Sequence, residues 1–264
     1  MIIPFSKYHG CGNDFILVKE EDIRSFDLQH LIVSMCDRHC GIGADGFMVV
    51  KTNPLEMLYY NQDGSRAPMC GNGIRCFSKF CIDEKIICEK SFEVRTLAGT
   101  KIVEHIGSDQ FRVDMQKPLF EIDLCKIDQP IWDTPYKGMR LYTFFMSTIH
   151  TVVFVDDAFA DIEKIGKEIC EHEWFHEQTN VNFVQIIDEN TIKVQTYERG
   201  CGVTLACGTG VCASAYLAHK EKGCASLLHV FMKKGALDIE ILEDDSIIMQ
   251  GPATKIAKGE FYVD

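Results

Sequence analysis

Two short elements of the sequence combine a cysteine with glycines in a way that suits acid–base chemistry. They are Cys70-Gly71-Asn72-Gly73 and Cys207-Gly208-Thr209-Gly210, and a branched apolar residue follows each. Each element comes after a strand-like segment and opens an apolar run, over residues 74–82 in the first case and 211–219 in the second. The pattern therefore predicts, in both places, a cysteine at the N-terminus of a buried helix.

A cysteine in this position meets the N–H groups of the first helical turn and the positive end of the helix dipole, which favour the thiolate. The two glycines let a ligand approach the backbone, whose amides form an anion site. Two such elements, placed opposite each other, would hold a carboxylate with one sulfur on each side of the adjoining carbon. One thiolate would then remove the α-proton while the other thiol delivers a proton to the opposite face.

Other interpretations of the two elements exist. A C-G-x-G segment is also typical of a glycine-rich turn that happens to carry a buried cysteine. The repetition in matching contexts favours two related domains instead. A nucleotide site is disfavoured, because Cys76 stands at the third glycine position of G-x-G-x-x-G and no Walker lysine follows.

Composition limits the classes of function. The 264 residues are enough for two domains, and 39 acidic against 27 basic residues give a net charge of −12. An acidic chain without a basic cluster is a poor match for nucleic acid or an anionic membrane. The sequence shows neither a signal-peptide pattern nor an 18-residue apolar run, so we expect a cytoplasmic protein without a membrane span.

Thirteen cysteines are unusual for such a chain. The number is odd and no export signal is seen, which favours reduced thiols over a disulfide scaffold. No two cysteines have the C-x-x-C spacing of a zinc site, and the group Cys36, His39 and Cys40 has no matching second half. We therefore expect no metal, and most of these thiols should be small buried side chains.

The remaining pattern is one of many short strands and few helices. Apolar residues on one face predict a helix over 28–37, and an acidic amphipathic pattern predicts another over 160–175. Three prolines, Pro118, Pro130 and Pro135, favour a connection between two halves of the chain.

Five stretches of the sequence resemble the diaminopimelate epimerases, a family of two-cysteine enzymes that work without pyridoxal phosphate. They are Lys7–Phe15, Asp37–Gly46, Asn61–Ser65, Met69–Phe77, and Tyr197–Gly200 continued by Leu205–Gly210. The resemblance implies an α/β (α+β) fold of two pseudo-symmetric domains, each a mostly antiparallel sheet wrapped around a central buried helix. The N-terminal domain would comprise residues 1–116 with the return segment 254–264, and the C-terminal domain residues 117–253.

The resemblance also implies a function and a set of site residues. The enzyme would be an isomerase of lysine and peptidoglycan biosynthesis, acting on a small amino acid without a cofactor or metal, as a homodimer. Cys70 and Cys207 would be the catalytic pair. The substrate-binding residues would be Asn13, Asn61, Gly71, Asn72, Thr148, Asn180, Glu198, Arg199, Gly208 and Thr209. Among them, Glu198 and Arg199 would bind the distal amino acid group of the substrate.

Three short segments depart from the family pattern. Ser147-Thr148-Ile149-His150 stands where the family carries Gly-Asn-Pro-His, Gly202-Val203-Thr204 stands for Gly-Glu-Thr, and Lys233-Lys234-Gly235 stands for Pro-Gly-Gly. A threonine at 148 offers fewer hydrogen-bond groups than an amide, which bears on recognition of the distal end. We expect diaminopimelate as substrate, with a single-centred amino acid such as histidine as the alternative.

Other classes of protein stay open at the level of sequence. A cysteine hydrolase would pair a thiol with His9, His39 or His150. A redox protein would cycle Cys70 and Cys207 through a disulfide. A non-catalytic protein would bind an amino acid on the same scaffold.

Overall fold

The computed structural model describes residues 1–263, which form two compact units. One unit contains Met1–Val113 and the segment that starts at Gly251, and the other contains Asp114–Gln250. The domain limits implied by the resemblance stay predictions. Within residues 1–263, no helix is both long and apolar enough to cross a membrane.

Within residues 1–263, the first unit contains nine strands, one of them from the end of the chain and one (β8) that continues into the second unit, and two α-helices. Its strands are β1 (Ile2–Gly10), β2 (Asn13–Lys19), β3 (Gly46–Thr52), β4 (Leu55–Asn61), β5 (Arg66–Ala67), β6 (Ser91–Thr96), β7 (Gly99–Gly107), β8 (Gln110–Gln116) and β18 (Thr254–Tyr262). Its helices are α1 (Leu28–Cys36) and α2 (Gly71–Asp83).

The second unit contains nine strands and three helices. Its strands are β9 (Thr134–Tyr136), β10 (Met139–Phe145), β11 (Ile149–Phe154), β12 (Asn180–Asp188), β13 (Thr191–Glu198), β14 (Gly202–Val203), β15 (Leu227–Phe231), β16 (Ala236–Ile241) and β17 (Ile247–Pro252). Its helices are α3 (Ile122–Cys125), α4 (Glu163–Cys170) and α5 (Gly208–Lys222).

The two units repeat one order of strand pairing. In the first, β1–β2 is antiparallel, β2–β3 parallel, β3–β4 antiparallel, β4–β6 parallel, and β6–β7 and β7–β8 antiparallel. In the second, the same series runs through β10–β11, β11–β12, β12–β13, β13–β15 and β15–β16 to β16–β17. A helix crosses over at each parallel step, as parallel pairing requires. The mixed α/β class and the mostly antiparallel sheets expected from the sequence are confirmed.

The helices that open with the C-G-x-G elements are the most buried helices of their units. Every residue of α2 from Gly71 to Ser78 is buried, and so is every residue of α5 from Gly208 to Ala218. Helix α2 packs on β1, β2, β4 and β18, whereas α5 packs on β11, β12, β13, β15 and β16. Because both helices are apolar on most faces, burial against a sheet is where the hydrophobic effect places them.

The other long helices cover separate apolar clusters. Leu31, Ile32 and Met35 of α1 pack with Ile16 and Val18 of β2, among others. Side chains alternate along a strand, so Phe15 and Leu17 lie on the opposite side of the sheet from Ile16 and Val18. In the second unit, Ile169 of α4 belongs to a comparable cluster with residues of β10, β11 and β12.

Two helix predictions can be compared with the structure. The helix expected over 28–37 is confirmed as α1, which begins after Asp27, whose carboxylate accepts from the amides of Gln29 and His30. The helix expected over 160–175 was wrong in its extent, because α4 covers only Glu163–Cys170. Beyond it the chain forms successive turns and reaches the left-handed residue Gln178 (φ 61°), so the amphipathic pattern continues without a helix.

Candidate active site

In the first unit, the start of α2 lies in a polar cluster formed by Asn13, Cys70, Asn72 and Arg75, called here the Cys70 cluster. Cys70 is the N-cap of α2 in extended conformation, and its sulfur accepts from the Gly73 amide at 3.4 Å. The same sulfur lies 3.7 Å from Oδ1 of Asn13, which in turn lies 3.5 Å from Nδ2 of Asn72. The thiol therefore has both a donor and an acceptor among its neighbours.

A charged network holds Asn13. Its Nδ2 donates to Asp45 at 2.8 Å, and Arg38 donates to both Asp45 and Asp14 at 2.7 Å. Lys7 forms an ion pair with Asp14 at 2.9 Å. Burial alone would raise the pKa of Asp14, but hydrogen bonds from Arg38 and Lys7 outweigh it and lower the pKa below its ordinary value.

Asn61 lies at the end of β4, in register with Gly46, which also pairs with Phe15 near Asn13. Its Nδ2 donates to the Ser65 hydroxyl at 3.0 Å, and its Oδ1 accepts from the Tyr59 hydroxyl at 3.2 Å. Strand pairing thus places Asn61 at the same end of the sheet as Asn13.

In the second unit, the start of α5 lies in a polar cluster formed by Cys207, Thr209, His150 and Asn182, called here the Cys207 cluster. The Cys207 sulfur lies 3.5 Å from the Thr209 hydroxyl, which lies 3.0 Å from Nε2 of His150. Nδ2 of Asn182 lies 3.1 Å from Nδ1 of the same ring. Cys207 is 7% exposed and His150 is fully buried.

The hydrogen bonds of Asn182 fix the tautomer of His150. Oδ1 of Asn182 accepts from the Thr196 hydroxyl at 2.9 Å, so its Nδ2 is the donor toward His150. Nδ1 of the ring is therefore the acceptor and Nε2 carries the proton. Burial, followed by the charge of Arg199, lowers the pKa of His150 to about 3, so the ring is neutral.

This tautomer sets the direction of the remaining bonds in the Cys207 cluster. Nε2–H of His150 donates to the Thr209 hydroxyl, which can in turn donate its own proton to the Cys207 sulfur. A donor beside the sulfur favours the thiolate over the thiol.

The second unit also brings three further expected residues together. Nη2 of Arg199 donates to the Thr148 hydroxyl at 2.9 Å, and the Arg199 backbone amide donates to Oδ1 of Asn180 at 3.0 Å. Nη1 of Arg199 donates to the Glu177 carbonyl at 3.1 Å. The adjacent Glu198 accepts from the Thr204 hydroxyl at 2.6 Å.

The expected residues therefore form three groups, each within one unit. Asn13, Cys70, Gly71 and Asn72 meet at the start of α2, with Asn61 at the neighbouring strand end. In the second unit, Cys207, Gly208 and Thr209 meet at the start of α5. The third group, at the ends of β12 and β13, consists of Thr148, Asn180, Glu198 and Arg199.

Most other cysteines are unreactive by burial. Burial raises the pKa of Cys36 to about 12 and that of Cys125 to about 11, and it raises the pKa of Cys76 and Cys81 still further. All thirteen cysteines are free thiols, of which Cys40, Cys88 and Cys201 are exposed.

The comparison with known proteins decides the family. The sequence pattern that defines the diaminopimelate epimerase family matches residues 5–120 and 142–256. A diaminopimelate epimerase of Alkaliphilus metalliredigens is 42% identical, covering 99% of this chain and 98% of the relative. One from Caldanaerobacter subterraneus is 38% identical over 98% and 99% of the two chains. This chain belongs to the diaminopimelate epimerase family. It is accordingly an isomerase.

Solved structures of more distant proteins share its fold. A PhzF-family protein of Enterococcus faecalis has a TM-score of 0.71 at 12% identity and covers all of both chains. A hydroxyproline epimerase of Agrobacterium vitis has a TM-score of 0.69 at 10% identity, covering 98% of this chain and 92% of that one. At these identities the likeness shows the fold.

Several polar residues in or beside the Cys70 and Cys207 clusters were not predicted from the sequence as site residues. Asn182, Arg75 and Asp45 had no stated role, and His150 was named only as a possible hydrolase partner. The signals were present, since Arg75 lies one helical turn after Gly71 and His150 stands two residues from Thr148. Their directions of hydrogen bonding needed the fold.

Residues 1–263 contain no group of three or more histidine, cysteine, aspartate or glutamate side chains placed to hold a metal ion. The expected absence of a metal and of a cofactor stays a prediction.

Proposed function

We propose that the enzyme inverts one α-carbon of diaminopimelate without a cofactor, with Cys70 and Cys207 as the two acid–base groups. The observation that carries the proposal is that both buried helices begin at a cysteine whose sulfur lies in a hydrogen-bonded polar cluster. Membership of the diaminopimelate epimerase family supports the choice of reaction and of substrate.

The reaction needs two opposite proton transfers on one carbon. One cysteine, as thiolate, takes the α-proton and becomes a thiol, leaving its electron pair delocalised into the adjoining carboxylate. The other thiol gives its proton to the opposite face of the carbon and becomes the thiolate. Protons and charge balance, and the product has the inverted configuration.

The first turns of α2 and α5 are suited to stabilise the intermediate. The amides of Gly71, Asn72, Gly208 and Thr209 belong to N-terminal turns, whose N–H groups lack partners within the helix. Backbone donors and helix dipoles favour the negative charge that grows on the carboxylate as the α-proton leaves. A chain with net charge −12 attracts an anion by such local fields rather than by its overall charge.

The distal amino acid group of the substrate would bind to Glu198 and Arg199. A carboxylate suits the guanidinium, and the Glu198 carboxylate suits the ammonium group. Asn13, Asn61, Thr148 and Asn180 would line the remainder of the pocket. Thr148 already bonds to Arg199, which holds the guanidinium in a defined orientation before a substrate binds.

The test is deuterium incorporation at the α-carbon from D2O, measured for the isomers of diaminopimelate and for single L-amino acids. We expect rapid incorporation with diaminopimelate, lost in Cys70→Ser and in Cys207→Ser and retained in Cys88→Ser, whose thiol is exposed. Full activity in both predicted catalytic variants would overturn the assignment of the cysteines.

A second candidate substrate is a single-centred amino acid such as histidine. Thr148, in place of an asparagine, is the observation that favours it, because the distal site then has fewer polar groups to satisfy. Incorporation with diaminopimelate and with no single L-amino acid would exclude this alternative. Tight binding without any incorporation would instead indicate a non-catalytic binding protein.

We also propose a cytoplasmic homodimer whose partners include neither nucleic acid nor membrane. The free thiols and the acidic balance support this placement. Light scattering in the presence of reductant tests the dimer.

A separate experiment tests the redox alternative. Restoration of activity by reductant after mild oxidation would show that a Cys70–Cys207 disulfide is inactivating rather than part of turnover.

A further inference from the structure

Arg75 is a charged side chain in an unusual position. It lies on α2, one turn after the helix start, and is fully buried. Its Nε donates to the Pro252 carbonyl at 3.1 Å, Nη1 to the Gly71 carbonyl at 2.9 Å, and Nη2 to Oδ1 of Asn72 at 2.9 Å. A buried guanidinium costs free energy unless its donors are satisfied, and here three nitrogens bond to oxygens that surround the start of the helix.

The bond to Asn72 determines which way that amide points. A guanidinium only donates, so Asn72 must turn Oδ1 toward Arg75 and Nδ2 toward Asn13. Asn13 is fixed at its other side, because Asp45 only accepts and therefore takes its Nδ2. Oδ1 of Asn13 is left to face both Asn72 and the Cys70 sulfur.

The Cys70 cluster is thus a directed chain of hydrogen bonds with a donor-only group at one end and an acceptor-only group at the other. It runs from Arg75 through Asn72 and Asn13 to Asp45. The Cys70 sulfur contacts this chain at Oδ1 of Asn13, whose orientation is determined by Arg75 at one end of the chain and Asp45 at the other. The surroundings leave little room for a shift, since a Cβ on Gly10 would lie 3.0 Å from Nη2 of Arg75.

We infer that Arg75 is a positioning residue that, through Asn72, keeps the Asn13 oxygen directed at the Cys70 sulfur and so gives the Cys70 thiol a fixed acceptor. The inference rests on the proposed acid–base role of Cys70. This role depends on the planar arrangement of the Arg75 donors and not on the charge of Arg75 alone. A lysine has the charge but a single nitrogen, which cannot bond to Gly71, Asn72 and Pro252 in the same arrangement.

The experiment measures alkylation of Cys70 by iodoacetamide in the unliganded enzyme between pH 5 and pH 10, with peptide mass spectrometry to follow the site. Wild type is compared with Arg75→Lys, and the control is Arg95→Lys, which changes an exposed arginine of the same unit. We expect the pH midpoint for Cys70 to fall by at least about 0.5 unit in Arg75→Lys, because the thiol loses its fixed acceptor. The control should behave as wild type.

A second variant keeps the test decisive if Arg75→Lys does not fold. Gly10→Ala leaves Arg75 in place but presses on its guanidinium and on Asn72, the two members of the chain that hold Asn13, so it should lower the Cys70 midpoint in the same direction by a smaller amount. A purely structural role, or a role of charge alone, would leave the midpoint unchanged in folded protein. An unchanged or raised midpoint in folded Arg75→Lys, or in Gly10→Ala where Arg75→Lys does not fold, overturns the inference.

This readout is independent of the substrate. If wild type showed no deuterium incorporation with diaminopimelate, the proposed function would fail while the alkylation profiles would still report on Arg75. If incorporation were normal and the midpoint did not move, the positioning role would fail alone. Turnover of Arg75→Lys should fall by up to about 100-fold, the scale for a misplacement of about 1 Å at a reacting group.

Discussion

The starts of α2 and α5 share a backbone motif and differ in the polar groups around the cysteine. At Cys70, the hydrogen-bonded chain ends in charged groups, Arg75 and Asp45, and offers the sulfur an acceptor. At Cys207, the chain is neutral from Thr196 through His150 and places the Thr209 hydroxyl beside the sulfur. The Cys70 sulfur thus has a side-chain acceptor beside its backbone donor, the Gly73 amide, whereas the side chain beside the Cys207 sulfur is a hydroxyl that can donate.

The difference has a simple origin in the two sheets. The polar neighbours of Cys70 come from the start of β2 and from α2 itself, and they are joined to a partly exposed charged network. The neighbours of Cys207 come from β11, β12 and β13, where His150, Asn182 and Thr196 are buried. The buried Cys207 chain is built from neutral groups, whereas in the Cys70 cluster the buried charge of Arg75 is retained because three oxygens accept its hydrogen bonds.

A large effect expected from this contrast is the pH dependence of stability due to His150. The folded protein keeps the ring neutral down to about pH 3, whereas the unfolded chain protonates it near pH 6.5. Lowering the pH between these values therefore favours the unfolded state by up to about 1.4 kcal/mol per unit. Above pH 6.5 the contribution is constant.

Denaturant unfolding of wild type and His150→Gln at pH 6, 5 and 4 measures this effect. The free energy of unfolding of wild type should fall relative to the variant by about 2 to 3 kcal/mol from pH 6 to pH 4. His30→Gln, which changes an exposed histidine, is the control and should follow wild type. If the free energies of unfolding of wild type and His150→Gln changed in parallel with pH, His150 would not be held neutral in the folded protein.

The next effect separates the two helix starts by their packing. A Cβ on Gly210 would lie 2.2 Å from Oδ1 of Asn182 and 3.1 Å from the Thr196 hydroxyl. Those two atoms are hydrogen-bonded to each other, so they cannot move without breaking the neutral chain. Gly210→Ala should lower the free energy of unfolding by about 2 to 4 kcal/mol.

Gly73→Ala is the matched variant in α2. Its Cβ would lie 2.4 Å from the terminal methyl of Met48, which is the flexible end of a side chain. The gain in helix propensity, about 1 kcal/mol, offsets much of the adjustment, so the net loss should stay near 1 kcal/mol. Urea unfolding of both variants checks the ranking, and equal losses would show that the two starts are packed alike.

A smaller effect concerns the two sulfurs directly. Because Cys207 has a hydrogen-bond donor directed at it and Cys70 an acceptor, the pH midpoint of alkylation should be lower at Cys207 by about one unit. Comparing midpoints rather than rates removes the difference in reagent access between the two thiols, while the greater burial of Cys207 acts against the expected order by raising the pKa of a thiol. The exposed thiol of Cys88 serves as an internal reference. The reverse order of midpoints would mean that the polarity of the two clusters does not control the sulfurs.

The sequence was sufficient to predict the two helix starts but not this polarity. The C-G-x-G pattern and the apolar runs after it predict α2 and α5 because glycine, capping and burial act over a few residues. The end of α5 was also predictable, since Gly223 takes the left-handed conformation after a basic last turn.

The polarity depends on contacts between distant strands. His150 and Asn182 meet because β11 and β12 pair in parallel, with Val152 in register with Asn182. The two residues are 32 positions apart in the sequence, so no local pattern predicts the strand register or the tautomer. Tertiary packing determines both. For the same reason the pairing of β1 with β18, which joins the two ends of the chain, was not predicted from local pattern.

The smallest expected effect lies beside the third group of site residues. Ser147 has φ 59°, a left-handed conformation that costs a residue with a side chain about 1 to 2 kcal/mol. Replacing Ser147 by glycine removes this cost. Glycine, however, loses more conformational freedom on folding, which offsets about 0.5 to 1 kcal/mol of the stabilisation. Ser147→Gly should therefore raise the free energy of unfolding by about 0.5 to 1 kcal/mol, measured by urea unfolding at pH 7. Because the bond from Arg199 to Thr148 is untouched, the Michaelis constant for diaminopimelate should stay within about twofold, and a larger change would mean that Ser147 sets the position of Thr148.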